Sequence, residues 1–488
     1  MKEKIEIIDY KYRITILTFI IFMIIGVLVP LSGDDYSSYL IGKKGILSCL
    51  QNIDIKDGRF ISGFFTNFFS YNKIFFDISL ASLMSYFVKI CNDLMGSVKN
   101  KYAYLYPLVG VLMVNVFMFS YNYLTINAAL SYTFPSIMII IYYYLINTCD
   151  EMNYKVVVKL ILLSLFIMLS SIYLAIAFFI SNILNIIVKY NKKNGKKHLL
   201  LLLLQISLLI FSLLNMKGEL FFLDKNYMFN NIPYLIEEIF SKNILLIVVG
   251  AIPINYYLHD KLKNNMYCRV IIALFDLILA FSLCYNFFHY SFVNLNLVLS
   301  KYSGVFATEN WYYIIYFSSY IVLFVLSVNH FLNKIKVRYM VNNLIVISLI
   351  ILLFIVISPM LDNGNIIFLM FTIILSCSIL SKDMNVKVYS RTIRTIFYLL
   401  IIYYISVFAV VKYIDITRSD YIKEQLDAND TRIEVKANPI NLIYKSNPSE
   451  GDLINNFKKY YEIPLDYSIE VKYFGIFEKI ERKVKEDR

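Results

Sequence analysis

Apolar runs of about 16–19 residues, separated by short polar breaks, repeat along most of the 488-residue chain. Such runs read as membrane-spanning helices, because only a helix satisfies every backbone group of a lone segment in hydrocarbon. The pattern places spans at about 14–31, 74–92, 102–120, 133–149, 156–170, 172–189, 199–216, 243–258, 267–285, 311–329, 341–358, 365–380 and 395–411, thirteen in all. From 156 to 189 the apolar run lasts 34 residues without a cluster of charges. It is read as two spans turning at Ser170-Ser171. A single tilted helix there would invert every later loop.

Charge decides that point. With the turn in place and the N-terminus cytoplasmic, the inward loops hold Lys2, Lys4, Lys11 and Arg13; Lys99 and Lys101; Lys155; Lys189, Lys192, Lys193, Lys196 and Lys197; Lys261 and Lys263; Lys334, Lys336 and Arg338; and Lys382, Lys387, Arg391 and Arg394. That is about 21 basic residues against about nine in the outward loops before the tail, the bias expected of a cytoplasmic face. The first span has no small-residue cleavage site after it and is read as retained.

Five segments then face outward: 32–73, 121–132, 217–242, 286–310 and 359–364. The first has room for interfacial helices over about 36–50 and 60–69. After 411 the composition turns charged, with Pro439, Pro448 and Pro464 and a basic run over 479–488. These 77 residues are marginal for a core of their own and are expected to pack on the membrane-surface loops. Val435 and 469–471 read as strand and 455–461 as helix. The expected fold is therefore an all-α polytopic membrane domain, 1–411, followed by a small extracytoplasmic α+β region, 412–488.

Composition sharpens the picture. The chain is 59% hydrophobic and 17% charged, against about 25% charged in soluble domains. The net charge of +12 would suggest nucleic acid in a soluble protein. Here it belongs to the inward loops, and no nucleic-acid partner is predicted. Cys49, Cys91, Cys149, Cys268, Cys284 and Cys377 show no metal-ligand spacing and predict no disulfide framework. The chain has no Gly-rich phosphate loop, zinc signature or nucleophile elbow.

The candidate chemistry begins just past the first span. Gly33-Asp34-Asp35-Tyr36 places two adjacent carboxylates beside the bilayer. Neighbouring acids perturb each other, which suits one of them to proton transfer. The bland alternative is a solvated loop, or an N-cap for a helix starting near Tyr36. Arg59 can hold a phosphate bidentately or snorkel toward headgroups. Asp57 can orient Arg59 or cap the helix after it. Tyr132, Phe134 and Pro135 offer an aromatic wall for a sugar ring, or an interfacial belt and a helix start. Lys301 and His289 share one outward loop and either can touch a pyrophosphate, as solvated side chains also do. Glu237, Glu238 and Glu309 are equally open. Asp77 and Asp276 fall within spans, where acids are functional by default, although Asp77 lies near the outer end of its span.

These pieces together resemble the GT-C superfamily of polytopic glycosyltransferases, and within it the bacterial branch related to Gtr-type O-antigen glucosyltransferases. Asp34-Asp35-Tyr36 is similar to that branch's Asp-Asp-Tyr element after the first span. Gly58-Arg59-Phe60 is similar to its Gly-Arg-Phe element, and Ser131-Tyr132-Thr133-Phe134-Pro135 to its Asn-Tyr-x-Trp-Pro element. Arg418 and Lys459-Tyr460-Tyr461-Glu462-Ile463 also look like its tail. The chain departs from the branch at Ser170-Ser171-Ile172-Tyr173, where an acid is frequent, and at Asp362-Asn363, where a basic residue follows the proline.

The resemblance implies a cell-membrane glycosyltransferase using a polyprenyl-phosphate-linked sugar at the extracytoplasmic face. The acceptor would be an envelope glycan, lipid or protein. Asp34 and Asp35 would be catalytic, and Asp57, Arg59, Tyr132 and Lys301 would bind substrate and phosphate. GT-C members differ in needing a divalent cation; if Mg²⁺ or Mn²⁺ is used, Asp34 and Asp35 are its expected ligands. A surface-glycan polymerase or flippase, a transporter and a non-catalytic membrane protein remain open, although few mid-membrane charges speak for transport.

Overall fold

The computed structural model describes residues 2–33, 35–53, 59–96, 98, 100–114, 119–149, 152–189, 195–215, 270, 338–357, 364, 366–382, 387–428, 430–438 and 452–472. The expected spans at 243–258 and 311–329 lie outside them, as do 267–285 apart from residue 270, and Asp276, Glu237, Glu238, His289, Glu309 and Asp362. Helix makes up 84% of the structure, so most backbone polar groups are satisfied within their own segment.

The first helix, α1 (Lys2–Leu28), ends where Val29-Pro30 disfavours further helical backbone. Three short helices follow: α2 (Asp35–Gly42), α3 (Ile46–Gln51) and α4 (Phe60–Tyr71). Then α5 (Lys73–Met95) runs back along α1. A 3-10 turn, Lys101–Leu105, leads into α6 (Tyr106–Leu112). Two π turns, Ser120–Leu124 and Ala129–Thr133, flank the single turn α7 (Ile126–Ala128) before α8 (Phe134–Thr148). Next come α9 (Tyr154–Met168), α10 (Ile172–Lys189), α11 (Gly195–Asn215), α12 (Arg338–Ile357), α13 (Ile366–Ser381) and α14 (Lys387–Asp427). The last elements are β1 (Arg432–Lys436), α15 (Asp452–Tyr460) and β2 (Ser468–Lys472).

Among the described residues, five helical stretches are long and apolar enough to cross a membrane: 10–28, 73–95, 126–148, 195–215 and 391–427. Three shorter apolar helices accompany them, Ile172–Ile187, Tyr339–Ile355 and Ile366–Ser381. These helices are compatible with a multi-pass membrane protein. The expected break between 156 and 189 falls at 169–171, between α9 and α10.

Two expectations need correction. No single helix spans 102–120. Among its described residues are a 3-10 turn, α6, which ends at Leu112, and the first residue of a π turn, and Gly110 in α6 presses on Ile374 of α13, 3.0 Å from where a Cβ would sit. The last helix also does not stop near 411. α14 runs for 41 residues, because neither Gly nor Pro interrupts 387–427. The change in composition at 411/412 therefore falls inside a continuous helix.

α13 is apolar all round, and it buries every residue except Leu369, as expected of a central helix. It contacts α5, α6, α8 and α12. A buried polar hub ties four helices beside it. The Gln205 amide of α11 donates to the Tyr142 hydroxyl (3.3 Å) and to Ser164 Oγ (3.1 Å) and accepts from Asn182 Nδ2 (3.1 Å). The Tyr143 hydroxyl hydrogen-bonds with Ser181 Oγ and Asn182 Oδ1, both at 2.9 Å. Such bonds hold helices together where hydrophobicity alone gives no preference.

β1 and β2 pair in parallel, Arg432 opposite Ser468 through Lys436 opposite Lys472. Gln425 of α14 extends the ladder, exchanging bonds with the Glu434 backbone at 2.8 and 2.7 Å. The terminal strands are thus pinned to the end of α14.

Candidate functional site

Asp35, Tyr36, Arg59, Tyr132, Arg418 and the 459–463 segment lie far apart in the sequence. The fold gathers them through two clusters joined by one short segment.

The first cluster forms around Tyr36, which is 3% exposed. Its ring meets Phe457 edge-on (5.8 Å between centroids), Tyr460 (4.6 Å) and Tyr461 (6.3 Å). Tyr39 adds an edge contact to Tyr460 at 5.1 Å. Tyr461 donates to Asp415 Oδ1 at 3.1 Å, and fully buried Arg418 donates Nε to the Lys436 carbonyl at 2.9 Å. Burial raises the Tyr460 phenol to about 12 and pushes Tyr36 and Tyr461 above their ordinary value as well. These phenols are therefore neutral near pH 7.

The second cluster forms around Tyr132, 2% exposed in the second π turn. Arg59 Nη2 donates to its hydroxyl at 2.6 Å, and the guanidinium carbon lies 5.3 Å from its ring centroid. Gly364 presses against the other part of the ring; a Cβ there would lie 2.1 Å from Tyr132 Cδ2. The start of α4, next to Arg59, docks on the α9–α10 break. Ile61 N–H reaches the Leu169 carbonyl (3.0 Å) and Ser62 Oγ the Ser170 carbonyl (3.1 Å). Ser170-Ser171 is thus a bonded joint rather than a solvated turn.

α7 links the two clusters. Asp35 is 1% exposed, and its two carboxylate oxygens accept from the Ile126 and Asn127 amides, both at 3.4 Å. A carboxylate at the first amides of a helical turn is favourably placed. Asp35 therefore caps α7 across 91 residues, neither solvated nor capping only its own helix. In the same segment, Asn122 and Ser131 are fully buried, and their side chains have no hydrogen-bond partner among the described residues. Polar groups in that position call for a ligand or a water. π turns also tend to accompany functional sites.

Asp77, which the sequence reading singled out, has a partner that it did not, Lys73. Lys73 Nζ donates to both Asp77 oxygens (2.8 and 2.9 Å) and to the Gly26 carbonyl (2.5 Å). Asp35 and Lys412 are within its electrostatic reach. A Cβ on Gly26 would sit 2.8 Å from Asp77 Oδ1, so only glycine lets α1 approach the pair. The Lys–Asp spacing of four on one helix was the available signal.

Asp34, Asp57 and Lys301 lie outside the described residues. Phe134 packs on Phe76 and Phe166 (6.1 and 6.4 Å) and also lines an apolar cleft. Among the described residues no group of three or more His, Cys, Asp or Glu side chains is placed to hold a metal, and both Asp35 oxygens face amides. Asp34, one of the two expected cation ligands, is not among the described residues.

Two clefts flank the clusters. One, of about 450 Å³, is lined by Phe65, Phe69, Leu83, Leu130, Phe134 and Phe166 and is almost wholly apolar. The other, of about 550 Å³, lies between α2 and α15 and carries Lys43, Lys44 and Lys459. Asp35 and Arg59 line neither. Comparison with family models, with curated proteins and with solved structures returns no match.

Proposed function

We propose that the chain is a GT-C-like membrane glycosyltransferase that moves a sugar from a polyprenyl-phosphate donor to an envelope glycan, lipid or protein at the extracytoplasmic face. The observation that carries this reading is that Asp35 is bonded to α7 and Arg59 to Tyr132 in the π turn that directly follows it. An acid and a guanidinium held at one membrane-adjacent segment are the groups such a transfer requires.

In this reading the acceptor hydroxyl attacks the anomeric carbon while the bond from that carbon to the phosphate oxygen breaks. The hydroxyl proton passes to the acidic pair, where the Ile126 and Asn127 amides hold Asp35 in place. Arg59, oriented by Tyr132, neutralises charge on the departing lipid phosphate. The apolar cleft beside Leu130 and Phe134 suits the isoprenoid chain. The N-terminus is cytoplasmic in this arrangement. The reading carries about thirteen spans, as the apolar runs of the sequence suggest, and an outward α+β region over 412–488.

The test is the envelope glycan profile of a strain lacking the chain, complemented with wild type, Asp35→Asn or Arg59→Gln. The wild type restores a glycosylated species that neither variant restores. Equal restoration by all three sinks the proposal.

A further inference from the structure

α2 ends under steric constraint. A Cβ on Gly42 would fall 2.3 Å from the Asn67 carbonyl and 2.7 Å from Tyr71 Cβ, so the position accepts only glycine, and the helix end is pressed onto α4. Gly45, at φ 101°, then turns the chain into α3. Lys43 and Lys44 sit between these glycines, exposed on the side that faces α15. Across the cleft of about 550 Å³ stand Asn456 and exposed Lys459, with the Ser37 hydroxyl at its wall. Lys44 and Lys459 have no side-chain hydrogen bond or ion pair among the described residues.

Lys43 faces a carboxylate, Glu462 Oε1, at 3.7 Å. Both groups are well exposed, and such a bridge holds weakly. Glu462 itself is unusual. It is the one non-glycine residue with positive φ among the described residues, at 59°. It follows α15 where the Ile463 N–H closes on the Lys458 carbonyl at 2.8 Å, a helix-ending geometry that ordinarily takes glycine. A glutamate in that strained position puts a carboxylate at the mouth of a cleft whose other charged groups are ammoniums.

We propose that the cleft between α2 and α15 binds a phosphate group and that Glu462 is its resident counter-ion, displaced when the ligand enters. Lysines suit phosphate as compact point charges. A soluble phosphate ester and a phospholipid headgroup both present this chemistry. The site is separate from Asp35 and Arg59, and its test reads binding without turnover. Its failure would leave the transferase reading standing, and the reverse also holds.

The experiment uses the full chain in nanodiscs of phosphatidylcholine, with inorganic pyrophosphate titrated by calorimetry at low salt. One unit charge about 4 Å from another contributes roughly a five-fold factor even in water. The pair Lys44→Gln/Lys459→Gln should therefore bind about 25-fold more weakly, with an unchanged melting temperature because both side chains are exposed. Lys44→Arg/Lys459→Arg should stay near wild type. Glu462→Gln should bind about five-fold more tightly, and salt should shrink every difference. A second arm replaces pyrophosphate with nanodiscs containing phosphatidylglycerol and reads thermal stabilisation. If only this arm separates wild type from the Gln pair, the natural ligand is a lipid headgroup. If neither arm separates them, the site does not exist. An unchanged affinity in Glu462→Gln overturns the counter-ion role.

Discussion

Gly26→Ala is the sharpest structural probe of how the C-terminal end of α1 and the N-terminal end of α5 are held together. The added methyl would lie 2.8 Å from Asp77 Oδ1, 2.9 Å from its Cγ and 3.0 Å from its Cβ. The carboxylate must therefore move away from Lys73, whose ammonium it holds at 2.8 and 2.9 Å. Asp77 is only 4% exposed in its side chain and Lys73 22%, so water replaces little of what is lost. Forcing a methyl into a packed site costs about 1–3 kcal/mol. Breaking one side of a buried pair costs about 3–5 kcal/mol. Partial displacement lies between these, and we expect a loss of about 2–4 kcal/mol. The assay is reversible unfolding of the purified chain in mixed micelles, followed by far-UV circular dichroism. The same substitution is then made in an Asp77→Ala background, where the clashing atoms beyond Cβ are gone. There most of the cost should vanish, giving a coupling of about 1–3 kcal/mol, whereas independent sites add to within about 0.5 kcal/mol. Additive effects of the two substitutions would refute the contact.

Three further outcomes follow from other parts of the fold. Tyr36→Ala should empty the aromatic cluster, cost about 3–5 kcal/mol and speed hydrogen exchange in α15. Tyr36→Phe should cost under about 1 kcal/mol, because the hydroxyl has no partner within hydrogen-bonding geometry. Gln205→Leu should strand the side chains of Asn182, Tyr142 and Ser164 and cost about 3 kcal/mol in the same unfolding assay, from unpaired buried groups at about 1–3 kcal/mol each. Acidification should loosen the terminal strands. The hydrogen bond from Lys472 holds the Glu434 carboxyl below its ordinary value, so the pair supports folding above the ordinary carboxylate range. That support is lost as pH falls through the lowered value. Exchange protection at Ala437, bonded to the Lys472 carbonyl, should drop there in wild type and not in Glu434→Gln.

What the sequence made legible was mostly local. Ser170-Ser171 marked the α9–α10 break because a turn there keeps Lys192, Lys193, Lys196 and Lys197 with the other basic inward loops. Alternation around Val435 and Ile469 marked the strands. α14 shows the limit of this reading. Hydropathy at 411 records a change of surroundings, while the helix continues because nothing in Lys412–Asp427 breaks it. The 102–120 run failed for the opposite reason, since apolar composition concealed the local geometry around Pro107 and Gly110. Asp35 was recognised as a special residue, but its partners, the amides of Ile126 and Asn127, lie 91 and 92 residues away. No period or spacing reports a contact of that range. The same holds for Arg59 with Tyr132, 73 residues apart, although both had been selected for their chemistry.

In the proposed transfer, Asp35, held on α7, or its sequence neighbour Asp34 takes the acceptor's proton. The most direct measurement is transfer of radiolabelled sugar from a polyprenyl-phosphate donor by the purified full chain in nanodiscs, with donor binding measured in parallel. Asp35→Asn and Asp34→Asn should each lower transfer by about 100-fold or more, in line with loss of a general base, while donor affinity stays within about three-fold. Undiminished transfer by the double variant Asp34→Asn/Asp35→Asn would contradict the account.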